Sequence, residues 1–128
     1  VKLGIPVVHG SIFRFEGMVS VFHPLEGPTY RDMVPEPPPA ELAPSCAEAG
    51  VLGVLPGIVG SIQALETIKL LLNLGDSLIG RVLAVDTTEM VFRTFKLRVD
   101  PSNPVTYENR DRIQVKDLEG LCGPQMSH

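Results

Sequence analysis

The sequence predicts an α/β fold in which a mixed sheet is covered by one long central helix and interrupted by a proline-rich crossover loop. Three observations carry this reading. Short β-branched or alternating apolar runs occur at both ends of the chain, apolar residues recur at intervals of three and four between them, and seven prolines fall between Pro24 and Pro44. The run "IPVVHGSI", Ile5 to Ile12, has the composition of a parallel strand covered on both faces. "MVSVFHP", from Met18, alternates and reads as a second strand ending at Pro24. Each proline beyond it removes an N–H donor, so residues 25–50 are expected to hold neither helix nor central strand. A crossover of that length is usually functional or disordered. Leu55, Ile58, Val59, Ile62, Leu65, Ile68 and Leu72 then share one helical face, which predicts a helix from about Pro56 to Asn73, with Pro56 in its first turn and Gly75 as its stop. Two strands follow, about Ile79 to Val85 and Met90 to Val99, joined by "DTTE". In the second, Arg93, Lys96 and Arg98 interleave with Phe92, Phe95 and Leu97, which predicts one wet face carrying a modest basic row. The remainder is polar until "VKDLEGLCG", long enough for one helical turn.

At 128 residues and 44% hydrophobic content, one small domain is expected. Eleven basic against fifteen acidic side chains leave a net charge of -4 with no basic run, so the phosphate-neutralising surface of a nucleic-acid binder is missing. The two cysteines are too few for a disulfide framework, and the cytoplasm is the expected compartment. The longest uncharged stretch, Val51 to Leu65, falls short of a membrane span. The chain opens at Val1 directly in an apolar run, as the middle of a longer protein would.

Few residues stand out as chemistry. Cys46, in the small-residue turn "SCAEAG", reads on its own first as an inert packed thiol and second as a nucleophile. Cys122 reads as incidental. His9 reads as a strand histidine rather than a base, and His23 as a loop residue. Arg14 and Glu16 flank Phe15 and are expected to share a strand face and pair. "GVLGVLPG", from Gly50, precedes an apolar helix without following a strand and has no nearby acid for a ribose. It is therefore no dinucleotide loop, and its glycines read as close packing.

The segments "GSIFRFEGMVSVF", "YRDMVPEPPP", "SCAEAGVLGVLPGIVGSIQALETIKLLL" and "LIGRVLAVDTTEMVFRTFKLRVDPSNP", taken in order, closely resemble the C-terminal half of the MoeB/ThiF-type enzymes that activate sulfur-carrier proteins. The resemblance runs from residue 1 to about 106 and leaves 107–128 as a C-terminal tail. It implies the C-terminal part of a Rossmann-like ThiF-type adenylyltransferase, which uses ATP and magnesium to adenylate the C-terminal glycine of a ubiquitin-like carrier and acts as a homodimer, without nucleic acid or membrane. It places Cys46 at the crossover-loop cysteine that forms a sulfur-linked intermediate in some members. The basic row would then be a candidate contact for an acidic carrier. The carrier's pathway stays open among molybdopterin, thiamine, tRNA thiolation and cysteine synthesis. No residue here matches the family's ATP-binding groups, which lie in its N-terminal half, so the chain alone is expected to be inactive. The alternative is a non-catalytic carrier-binding or scaffold module. Many members also hold a structural zinc between two C-x-x-C pairs. The matching positions here are Thr29 and Asp32, and Asn103 and Thr106, a set too poor in thiolate or imidazole for zinc. No zinc is expected, and Asp32 is expected to pair with Arg31 or another cation, or simply to be solvated.

Overall fold

The computed structural model describes residues 1–38 and 50–115. Its elements are strands β1 (Val7–Phe13) and β2 (Glu16–Phe22), a one-turn helix α1 (Tyr30–Met33), a long helix α2 (Leu55–Leu72), and strands β3 (Arg81–Asp86) and β4 (Val91–Lys96). The four strands form one sheet in the order β1-β2-β3-β4, every neighbouring pair antiparallel. The register runs straight across: Ser11 lies opposite Met18, Met18 opposite Ala84, and Ala84 opposite Arg93. The expected mixed sheet with a parallel, doubly covered first strand is thus corrected. β1 is an edge strand, and Val7 remains 52% exposed. A β-branched run states only that a strand forms; whether its neighbour runs parallel depends on the connection, and here a two-residue hairpin tip makes the pair antiparallel.

Because side chains alternate across a strand, the sheet has two distinct faces. α2 covers one. Its buried Leu55 and Val59 join Val19, Val21 and Leu78 in the core cluster, with Val8, Ile12 and Leu83 at its margin. Gly17 makes the close approach possible, since a Cβ there would sit 2.6 Å from Val59 Cγ2. Gly17→Val is therefore expected to destabilise the protein by about 2 kcal/mol through overpacking; denaturant melts of the full-length protein check this. Gln63 Nε2 anchors the helix midpoint to the sheet by donating to the Val8 carbonyl at 3.1 Å. By length and composition α2 would reach across a membrane, at a mean hydropathy of 1.3, more than the uncharged stretch alone suggests. Here it is packed on the sheet, with the acidic Glu66 among its buried residues.

Four further expectations are corrected. The proline-dense crossover does contain a helix, α1, one turn fitted between Pro28 and Pro35. α2 stops at Asn73, not Gly75: Asn73 takes the left-handed cap conformation at φ 50. The glycines of "GVLGVLPG" do not mediate close packing, because a Cβ at Gly50, Gly53 or Gly57 would meet no described atom; Gly50 instead supplies φ +73. Finally, β4 has no dry face. Phe92 and Phe95 point to opposite sides and are 49% and 54% exposed. Arg93 and Lys96, three residues apart, also fall on opposite faces, and Arg98 lies beyond the strand, so the basic row dissolves.

Candidate functional site

The face of the sheet turned away from α2 carries two kinds of surface. At one end, the rows Ser11–Met18–Ala84–Arg93 and Phe13–Glu16–Asp86–Val91 border an open cavity of about 280 Å³. Its lining mixes apolar side chains such as Ile12, Met18 and Phe95 with the charged Arg93, Glu16 and Asp86. The Thr88 hydroxyl, with the Glu89 and Thr88 amides, holds the Asp86 carboxyl below its ordinary value, and Arg93 adds a weaker pull. Asp86 is therefore anionic at neutral pH. At the other end, Phe22 is buried beneath α1, and its ring meets those of His9 and Tyr30 at 5.5 Å each. These three rings, with Ile5, Val7 and Pro24, border an apolar cavity of about 340 Å³. Burial lowers the affinity of His9 for a proton, so the ring is neutral at pH 7. His9 lies among rings rather than beside a carboxylate and is not set up as a base. His23 is tied locally: its Nδ1 accepts the Leu25 amide at 3.3 Å, and its Nε2 lies 3.7 Å from Glu26 Oε1.

The β1–β2 hairpin tip stands at the end of the sheet that carries the first cavity. Arg14 occupies the left-handed region at φ 55, so it sits in the turn rather than on a strand face. The expected Arg14–Glu16 pair does not form; the Arg14 guanidinium lies 5.2 Å from the centroid of the Phe13 ring. The Arg14 carbonyl accepts the Leu52 amide at 2.9 Å, and the Phe15 carbonyl accepts the Thr87 amide at 3.1 Å. The tip thus pins the chain where it re-emerges from the crossover, at Gly50 to Leu52, and ties it to the β3–β4 turn. Cys46 and Cys122 lie outside the described residues.

The four positions compared with zinc ligands behave in a way the sequence does not announce. Asp32 is the third residue of α1 and reaches back to the backbone of its N-cap, Thr29: Asp32 Oδ2 accepts the Thr29 amide at 2.6 Å and the Thr29 hydroxyl at 3.2 Å. Asp32 Oδ1 accepts the Asp100 amide and the Asn103 side-chain amide, both at 2.9 Å. Asn103 Nδ2 also reaches Thr29 Oγ1 at 3.2 Å. Thr106 stays outside this ring, where its hydroxyl accepts the Asn109 amide at 3.3 Å. Arg31 does not pair with Asp32, because adjacent helical residues point apart; it donates to the Val34 carbonyl instead. The signal for this arrangement was present as T-x-x-D, a helix-start pattern hidden inside a proline run. Beyond the 106 boundary the chain continues to pack: Lys2 Nζ donates to the Ile113 carbonyl at 2.8 Å.

The described residues form an antiparallel sheet with one covering helix, a chain return pinned at a hairpin tip, and an open sheet face carrying charged side chains. The chain belongs to the ThiF family, whose model matches residues 1–105. It is 44% identical over 128 residues to a sulfur carrier protein adenylyltransferase of Thermus thermophilus, covering 96% of this chain and 47% of that protein. It is 50% identical over 120 residues to the SAMP-activating enzyme E1 of Haloferax volcanii, covering 93% of this chain and 44% of that one. It is 41% identical over 124 residues to the adenylyltransferase and sulfurtransferase MOCS3 of Sus scrofa, with 96% and 27% covered. The chain therefore spans less than half the length of these curated relatives.

Proposed function

We propose that the chain is the C-terminal part of a Rossmann-like, cytoplasmic adenylyltransferase that activates the C-terminal glycine of a ubiquitin-like sulfur-carrier protein, with Cys46 as the acceptor thiol. The observation that carries this reading is the family match along residues 1–105, together with relatives named as adenylyltransferases of sulfur carriers. In this reading ATP and magnesium would be held outside this chain. The described residues do not fit them: the only glycine-rich run leads into α2 from a crossover rather than a strand, and no group of three metal-ligating side chains gathers among the described residues. The contribution of this chain is the surface and the thiol. The carrier would lie on the open sheet face, its acidic or basic side chains meeting Arg93 or the Glu16 and Asp86 pair, and its tail would reach the hairpin tip where the crossover returns. A homodimer would supply cover for apolar side chains that α2 leaves exposed, Leu71 and Leu72 among them. The test is intact mass spectrometry of a candidate carrier incubated with the full-length protein, ATP and magnesium. The expected outcome is a carrier species heavier by one adenylyl group. A carrier panel that gains no mass would reject the activity.

A further inference from the structure

The residues at the four zinc-equivalent positions do not fit a metal, and what they build instead has a role of its own. A structural zinc needs a closed set of thiolate or imidazole ligands. Here one carboxylate is surrounded by hydrogen-bond donors, and both of its oxygens are already used. Oδ2 is turned to Thr29 and Oδ1 to Asp100 and Asn103. A cation placed at Asp32 would have to displace two backbone amides and would face the Asn103 amide hydrogens, which repel it.

We propose that Asp32 is the centre of a metal-independent anionic clasp that fastens the crossover's first turn, Thr29–Asp32, to the chain leaving the sheet at Asp100–Val105. The contacts span sixty-eight positions or more in sequence, from Asp32 to Asp100 and from Thr29 to Asn103 and Val105, so the clasp closes a long loop rather than decorating a local turn. Closing such a loop is the structural work that a shared metal performs elsewhere. The clasp also fixes a wall of the His9 cavity, because Thr29 and Tyr30 border it. Charge is required at the centre. Every partner of Asp32 donates, and hydrogen bonds to an ionised acceptor are the stronger kind. Burial by itself would raise the proton affinity of Asp32. The Asp100, Asn103 and Thr29 donors together outweigh that and hold its carboxyl below the ordinary 3.8. The folded value lies under the unfolded one, so the stabilisation is present above about pH 3.8 and is lost as pH falls through the folded value.

The experiment is differential scanning calorimetry of the full-length protein with Asp32→Asn and Asn103→Ala, each with zinc sulfate or EDTA added and across an acid pH series, alongside elemental analysis of the untreated protein. Asp32→Asn turns an acceptor into an amide whose hydrogens oppose those of Asn103, and is expected to lower Tm by several degrees at pH 7. The acid-side loss should shrink in that variant, because the group that titrates is gone. Asn103→Ala removes one donor and should lower Tm less, which keeps the proposal testable if Asp32→Asn does not fold. The melting temperature of the unmutated protein should be the same with zinc or with EDTA. Stoichiometric zinc in the untreated protein, a fall in its Tm on chelation, or variants that melt with the unmutated protein would overturn the proposal.

Discussion

Replacing Cys46 by Ala in the full-length protein is expected to abolish any reductant-sensitive enzyme–carrier adduct on a non-reducing gel, while ATP-dependent adenylation of the carrier stays nearly intact. The two effects separate because they use different atoms. The proposed adenylation would join the carrier's terminal carboxylate to AMP and would draw on groups outside this chain. In the proposed following step the Cys46 thiolate would attack that acyl carbon; a carbon–sulfur bond would form, the bond to the AMP oxygen would break, and AMP would leave with the electron pair. The described chain resumes at Gly50, close to Cys46 in sequence, and is fixed there by the Leu52 amide donating to the Arg14 carbonyl at 2.9 Å. An adduct that survives the substitution, or that follows Cys122 instead, would reduce Cys46 to a packing residue.

The second large effect is expected at Glu66. Its side chain is 5% exposed; Oε2 accepts the Leu78 amide at 2.7 Å and Oε1 the Lys69 ammonium at 2.6 Å. Lys69 turns also to the Asp76 carbonyl, so one buried carboxylate organises the turn that carries the chain from α2 into β3. Glu66→Ala leaves a buried amide without an acceptor and a cation without its partner, at a cost of about 3 kcal/mol. Glu66→Gln keeps an acceptor for Leu78 and should cost less. Chemical denaturation of the three proteins side by side checks the order, and equal stabilities would mean that water replaces the carboxylate.

The periodicities of the sequence revealed elements better than their surroundings. The spacing of Leu55, Val59 and Ile62 announces α2 to within a residue or two, and the alternation around Val19 and Val21 announces β2, because these residues pack into one core cluster. β1 and β4 misled for the opposite reason. Ile5 and Val7 look like core residues, but no described element covers them, and Phe92 and Phe95 stand on opposite faces of an edge strand. Apolar residues that the described chain leaves exposed carry the same pattern as residues it buries. Glycine was equally ambiguous: Gly10, Gly17 and Gly27 are under steric pressure, whereas the conspicuous cluster from Gly50 to Gly57 is open. The candidate thiol was legible only through family likeness, since nothing in "SCAEAG" itself distinguishes a nucleophile from filler. The Asp32 clasp was legible in principle, and was obscured by the prolines on either side of it.

A fastening made of one carboxylate and its donors also has a chemical silence. Thiolates that grip a metal are open to oxidants and alkylating reagents, and their loss loosens whatever they held. Nothing in the ring of Thr29, Asp32, Asp100 and Asn103 can be oxidised or alkylated under such conditions. Thiol reagents that modify Cys46 or Cys122 therefore leave the clasp of Thr29, Asp32, Asp100 and Asn103 fastened.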